Sequence, residues 1–594
     1  MDSNAQKLNL RIPQQNLKSL SFAESSEKGI VHWIANLPKA NIGETARQLY
    51  QGLIEINQLD IAPEKRLAIL EKIRPEVHYV CSALSKYYLG QSIVLEDKPR
   101  KVANLSQSLQ NHLANGYKIV VAHERQVRSR DHSAIIGLAI QRAMRGLCGP
   151  LLRAFQLYCP VADGVWVELH QLYQLARKRD LHLQPIQDNE SLEGKPLSIE
   201  QCYLIALLMG SARPNQMRQS AMGRLFAVLE DWSRLASLVS PEDPKALFII
   251  NPTMDCPPRY RSLIRDENLS ESLGLSTDRL VGAIKEYMLN GESQIALRVP
   301  DGLGVEMLQH LSQSWGDLAE RTFNRVPGRG SLKISIGMSA THFRIAQSSF
   351  AKFISADEHD MNPFSDSAQR ARQEGWSGAF DGGTSVDWEP HGVEQIHYNE
   401  LGDNSSDEGE EHYPIHALPI VNHSPGGFCL TWPKEVPKQL QAGELLGVQE
   451  ESDQDWSLAV VRWIRQVRGG GTQMGVELIA PHCTPCAIKL IRKTGQPSQY
   501  LRGLILPEVT AIDRPATIIT PRMPFSVNSK VMILQGNREN RAHLTDRIAA
   551  SGSFSQFEYH LIEEPGDNKN KPQPVGSALT VSTDDDFDSL WKSL

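Results

Sequence analysis

At 594 residues, with 41 % hydrophobic and 22 % charged side chains, the chain is too long for one ordinary core and is predicted to divide into about three to five domains. A formal charge of −7 supplies no basic field for neutralising phosphates, which argues against DNA or RNA as partners. The 8 cysteines are scattered without a disulfide framework, no secretory signal opens the chain, and no apolar run approaches the length of a transmembrane helix, so a cytoplasmic protein is expected.

Residues 1–28 are polar and Gln/Ser-rich and read as a loose arm. From 29 to 240 the apolar period is helical. Leu49, Leu53, Ile54 and Ile56 stripe one segment, and Leu67, Leu70 and Ile73 stripe the next. There Pro63 suits a first turn and Pro75 a kink or boundary. Further runs near 101–122, 132–158, 165–178, 198–211 and 217–238 predict roughly eight antiparallel helices burying their stripes against one another. Within them, Trp166-x-x-Leu169-His170-x-x-Tyr173 followed by Ala176 resembles the opening of a tetratricopeptide repeat, with His where Gly is usual. No second copy follows at a period near 34, so an ordinary bundle with Trp and Tyr in its core is the competing reading.

Residues 241–356 read as a small mixed α/β domain. Ala246–Ile250 and Leu332–Ile336 are strand-like, and Thr277–Leu289 and Val305–Phe323 are amphipathic at helical spacing. Composition then shifts: residues 357–413 are rich in Asp, Glu, Ser and Gly, most acidic at Asp403–Glu411, and are read as a flexible linker. His391, His397, His412, His416 and His423 lie in or beside it. Pro414 opposes a helical His412–His416 pair, and no metal site is assigned.

From 414 to 493 the pattern is β. Phe428, Leu430 and Trp432 alternate with Cys429 and Thr431, Ser457–Val467 is a second strand, and Gly469-Gly470-Gly471 turns into the alternating Met474, Val476 and Leu478. Before the first strand stands Asn422-x-Ser424-x-x-Gly427. This element, with Ala459–Arg465 and Met474–Leu478 in that order, resembles the PilZ family of bacterial β-barrels, receptors for cyclic di-GMP. The resemblance implies a barrel over 414–493 and a ligand, cyclic di-GMP, held at Asn422, Ser424 and Gly427. It also implies an upstream Arg-x-x-x-Arg that grips phosphate and stacks on guanine, work suited to a planar guanidinium. Between Arg372 and Lys434 there is no Lys or Arg, and the nearest such spacings, Arg321/Arg325 and Arg325/Arg329, lie roughly a hundred residues before Asn422. Two sources of cations are open: those upstream pairs folded back onto the barrel, or Arg462, Arg465 and Arg468, the substitute cations expected at the site.

Residues 494–563 predict a second β-rich unit, and 564–594 a disordered tail. The tail ends in Phe587, Leu590, Trp591 and Leu594, one helical stripe behind Asp584–Asp586, the form of a helix-in-groove anchor for a protein partner. Cys483-x-x-Cys486 has no second pair for zinc. Gly194-Lys195, Gly302-x-Gly304 and Gly337-Met338-Ser339-Ala340 complete no enzyme signature.

The expected architecture is multidomain α + β. It comprises an N-terminal helical bundle or repeat-like domain, a small α/β middle domain, a C-terminal PilZ-like antiparallel β-barrel and a second β unit. The function the resemblance implies is that of a non-catalytic cyclic di-GMP effector or adaptor in bacterial signalling, acting on motility, adhesion or biofilm output. The alternative is a protein-interaction scaffold whose barrel binds no nucleotide.

Overall fold

The computed structural model describes residues 10–124, 130–191, 194–264, 269–290, 297–300, 302–316, 325–355, 413–433, 435–450, 455–492, 498–508, 515–536 and 538–562. The chain divides into two compact units, the first of residues 1–320 with 465–470, the second of 321–464 with 471–594.

The first unit begins with eight α-helices: α1 (Glu27–Ala35), α2 (Ile42–Gln58), α3 (Pro63–Ser85), α4 (Asp97–Glu124), α5 (Arg130–Gln156), α6 (Val165–Lys178), α7 (Ile199–Ser211) and α8 (Gln219–Trp232). Their starts follow capping chemistry. The Asn41 side chain accepts from the Glu44 amide, Pro63 opens α3, and Ser198 and Gln201 form a reciprocal capping box. Of the kink or boundary expected at Pro75, the boundary is not observed: α3 runs through it to Ser85. Ile73, Val77, Val80 and Leu84 are all buried, and that packing outweighs the hydrogen bond the proline omits.

The arm is also a correction. Residues 10–26 are packed on the bundle: the Leu17 amide donates to Gln58 O at 2.9 Å and the Asp60 amide to Leu17 O at 2.8 Å. Leu20 is buried and the Phe22 and Trp33 rings meet at 4.4 Å. The polar residues that suggest a loose arm are partly hydrogen-bond partners, as Ser21 is to Glu55.

On α6 the tetratricopeptide-like residues form a core face. Trp166 approaches α7 so closely that a Cβ on Gly210 would stand 2.7 Å from its ring. Tyr173 stacks on Tyr203 at 4.4 Å, and His170 Nδ1 lies 2.6 Å from Tyr203 OH. The histidine in the usual glycine position is thus a satisfied core residue. Deeper in the bundle, fully buried Asp188 meets Arg74 at 2.6 Å, Arg142 at 3.5 Å and Arg145 at 3.7 Å. Burial alone would raise its pKa, but the arginines outweigh burial and hold it down to about 2.

The unit continues with an antiparallel sheet of β1 (Ser237–Val239), β2 (Phe248–Ile250), β3 (Arg259–Tyr260) and β4 (Leu273–Ser276), in the order β1-β4-β2-β3, followed by α9 (Asp278–Asn290) and α10 (Val305–Ser314).

The second unit holds β5 (Val326–Pro327), β6 (Ser331–Ile336), α11 (Met338–Ala346), α12 (Phe350–Ser355), β7 (His416–Ser424), β8 (Gly427–Trp432), β9 (Leu445–Gln449), all but the last two residues of β10 (Ser457–Gln466), and β11 (Thr472–Ala480). The order β6-β9-β10-β11-β8-β7 closes on itself because β7 pairs with both β8 and β6, giving a six-stranded barrel with β5 beside β7. Two boundaries expected from the sequence therefore move. Leu332–Ile336, read as part of the middle α/β domain, is a barrel strand, and 484–490, read as part of the first barrel, belongs to a second.

That second, closed barrel has the order β12-β13-β14-β17-β16-β15. Its strands are β12 (Thr484–Leu490), β13 (Leu501–Leu506), β14 (Thr517–Pro521), β15 (Lys530–Gln535), β16 (Arg538–Ala550) and β17 (Phe554–Leu561). One apolar cluster joins the two barrels: Met338 of α11 packs with Leu445, Leu458 and Val460 of the first and Leu504, Ile519 and Phe554 of the second. His342, also on α11, is fully buried with Nε2 3.1 Å from Cys486 O. Burial pushes its pKa down to about 4, so it is neutral.

Candidate functional site

The Asn-x-Ser-x-x-Gly element folds as the β7–β8 hairpin, with Ser424 opposite Gly427 across a two-residue turn. Gly427 has φ +148°, and a Cβ there would stand 2.0 Å from Val476 O of β11. Glycine is needed at this position on both counts. The close approach brings β11 against the turn: Glu477 pairs opposite Gly427, and the Leu478 amide donates to Gly426 O at 3.1 Å.

Strand β5 lies along the other edge of β7, with Pro327 opposite Asn422 and Val326 opposite His423. Arg325, immediately before β5, is exposed and its Nη1 donates to Asn422 Oδ1 at 3.2 Å. Arg329, four residues on, lies just beyond β5 and is exposed. Between them Gly328 passes so near β7 that a Cβ would lie 2.3 Å from Ile420 Cγ2. An Arg-x-x-x-Arg spacing therefore flanks the strand that pairs with Asn422. The distance in sequence is closed by the ladder, since β5 and β6 run antiparallel to β7.

The substitute cations sit otherwise. Arg462 on β10 makes a bidentate ion pair with Glu477, at 2.6 and 2.9 Å. Arg462 is thus engaged by the carboxylate of a residue whose backbone pairs opposite Gly427. Arg465 and Arg468 fall in the β10–β11 hairpin and belong to the first compact unit, where Arg468 pairs with Asp163 at 2.6 Å. Arg321, the other half of the earlier spacing, and the anchor residues Phe587, Leu590, Trp591 and Leu594 lie outside the described residues.

Arg325 and Arg329 are remote from Asn422 in sequence and adjacent to it in the fold. The signal that points to them is the alternation Leu332-x-Ile334-x-Ile336 directly downstream, a strand in need of a sheet. Elsewhere, Cys486 is fully buried in the second barrel's core and burial pushes the Cys483 thiol up to about 12, so neither is poised for thiolate chemistry. Among the described residues no group of His, Cys, Asp and Glu forms a metal site, and no helix is long and apolar enough to cross a membrane.

Comparison with known proteins covers nearly the whole chain. Residues 28–243 match the family model for the N-terminal domain of the cyclic-di-GMP receptor FimW, 247–485 its middle PilZ domain, and 486–562 its C-terminal β-barrel domain. The division at 485/486 falls inside β12, whose pairings with the second barrel begin at Thr484. The cyclic-di-GMP receptor FimW of Pseudomonas aeruginosa (strain PAO1) is 50 % identical over 610 residues, spanning 100 % of both chains. No solved structure matches. With every domain matched in order and half of all aligned positions identical, the chain belongs to the FimW family of multidomain PilZ proteins.

Proposed function

We propose that this chain is a non-catalytic cyclic di-GMP receptor that binds its ligand at the β5–β7–β8 edge of the first barrel. Arg325 and Arg329 supply the guanidinium groups, Asn422 and Ser424 the short polar contacts, and Gly427 the close backbone approach. The observation that carries the reading is the 3.2 Å hydrogen bond from Arg325 to Asn422. It joins the two halves of the PilZ signature on neighbouring strands. A dinucleotide with two phosphates needs opposing charge, and arginine forks at the surface supply it with bidentate geometry. Arg462 is engaged by Glu477, and Arg465 and Arg468 take no ligand contact in this scheme.

Signalling follows by population shift: ligand held better by one arrangement of the barrel's surroundings favours that arrangement and the protein partner that reads it. Motility, adhesion and biofilm output are the processes this class of signal serves, and the cytoplasm is where it is read.

Isothermal titration of the full chain with cyclic di-GMP tests the reading. Arg325→Ala removes charge-assisted hydrogen bonds worth about 1.5–3 kcal/mol, so affinity is expected to fall by roughly ten- to hundredfold. Asn422→Ala should cost about tenfold or less. Heat identical to wild type in Arg325→Ala would refute the assignment, and no heat from the wild type would refute the receptor itself.

A further inference from the structure

A cavity of about 310 Å³ in the first unit has the make-up of a second ligand site. Leu197, Ala227, Val228 and Pro300 wall it with apolar surface, and four cations line it: Lys195, Arg224, Arg234 and Arg298. Among the described residues, the carboxylates that share the lining are Glu230 and Asp231. Both are engaged, Glu230 by Arg145 and Asp231 by Arg234 at 2.8 Å. Arg224 on α8 reaches the Ser220 hydroxyl only at 3.4 Å, and its buried Nε has no hydrogen-bond partner.

Two fixed elements frame the space. The Trp232 indole donates to Arg298 O at 2.9 Å, tying the 298–300 segment to α8. Ser191 Oγ lies 2.8 Å from Asp188 O and 3.2 Å from Lys195 O, its one proton shared between them, which holds Ser191 and Lys195 beside Asp188. A concave, largely apolar space with a few convergent polar groups is the usual form of a small-molecule site. An excess of cations in such a space favours an anion, because a partly desolvated guanidinium with an unfilled donor gains most from opposite charge.

We propose that this cavity binds a small organic anion with an apolar body and one acidic head group, the head facing Arg224. The site is independent of the barrel and of the reading given above.

Two fluorescent probes of the same ring body separate charge from apolar contact. One is 1-anilinonaphthalene-8-sulfonate, the anion, and the other is N-phenyl-1-naphthylamine, which lacks the sulfonate. Titrated into the full chain, the anion should bind at one equivalent and about tenfold more tightly than the neutral probe, a difference of about 1.4 kcal/mol. Arg224→Leu should weaken the anion about tenfold and leave the neutral probe unchanged, Arg224→Lys should restore most of the preference, and Val228→Trp should abolish both by filling the space. Arg298→Gln serves as the second charge variant should Arg224→Leu lower the melting temperature. Equal affinity for the two probes, or anion binding that survives Val228→Trp, would overturn the proposal.

Discussion

Gly427→Ala tests whether the signature glycine is required by backbone geometry. The added Cβ would stand 2.0 Å from Val476 O and 3.0 Å from Glu477 Cα. An ordinary carbon–oxygen contact is longer by more than an ångström, and the obstacle is backbone rather than a side-chain end that could rotate away. Strand β8 must therefore part from β11 near the pairs Glu477–Gly427 and Val476–Phe428. Weakening two ladder hydrogen bonds costs about 1 kcal/mol each. The φ of +148° adds about 1–3 kcal/mol of strain for any residue with a side chain. The total, about 3–5 kcal/mol, is concentrated at one end of the barrel. Hydrogen exchange followed by mass spectrometry on the full chain reads it locally: amides of 427–432 and 472–478 should exchange at least about thirtyfold faster, with helical-domain peptides unchanged. Cyclic di-GMP affinity should fall in parallel, since the turn presenting Asn422 and Ser424 shifts with β8. Exchange within about threefold of wild type in both strands would refute the close-approach argument.

In the helical domain, Lys118 Nζ lies 2.8 Å from Glu168 Oε2 with both side chains buried, and the Arg11 amide donates to the Glu168 carboxylate at 2.7 Å. Glu168→Gln strands a buried ammonium and should destabilise the domain by about 3–5 kcal/mol. In differential scanning calorimetry the double variant Lys118→Met with Glu168→Leu should recover most of that loss; a double variant no better than the single one would contradict the assignment. Three histidines, half-buried His78 and buried His170 and His342, have their pKa pushed by desolvation from 6.5 down to about 4. The unfolded chain binds the extra protons first, so stability is fully present above pH 6.5 and is lost as pH falls toward 4, by up to roughly 3 kcal/mol per histidine. Urea titrations between about pH 7 and 4 should show this slope, and His342→Gln should flatten it; an unchanged slope would assign the acid sensitivity elsewhere.

The helices are legible in the sequence because their signal is local. A stripe at 3.6-residue spacing is written within one segment, and the runs at 165–178 and 198–211 match α6 and α7 to within a residue. The β7–β8 hairpin is legible for the same reason, as its partners are separated by a two-residue turn. The arm is not, because Gln and Ser are polar both in a solvated tail and as hydrogen-bond partners of a helix end, and composition does not separate the two. The buried cluster around Asp188 leaves no mark at all. Arg74, Arg142 and Arg145 are spread over two helices, and only the packing of α3 against α5 brings them to one carboxylate.

The candidate site is half legible, and the missing half has a specific cause. Distance in sequence is a poor measure of distance in space here: Arg325 stands 97 residues before Asn422, with an acidic stretch between. Strand pairing does not respect that measure. Ser331 pairs with Pro419 and Val326 with His423, so β5, β6 and β7 form one continuous ladder that ignores whatever joins β6 to β7. The joining segment enters the energetics only through loop closure, and the cost of closure rises slowly, by about 0.6 kcal/mol for each doubling of a flexible chain's length. Against that stand the buried Leu332, Ile334 and Leu418, each worth about 1.5–3 kcal/mol. An insertion of this length between the first and second strands of a barrel therefore does little to weaken it. Arg325 and Arg329 flank the short strand that pairs with Asn422, so the ladder and not the separation in sequence sets their distance from the signature.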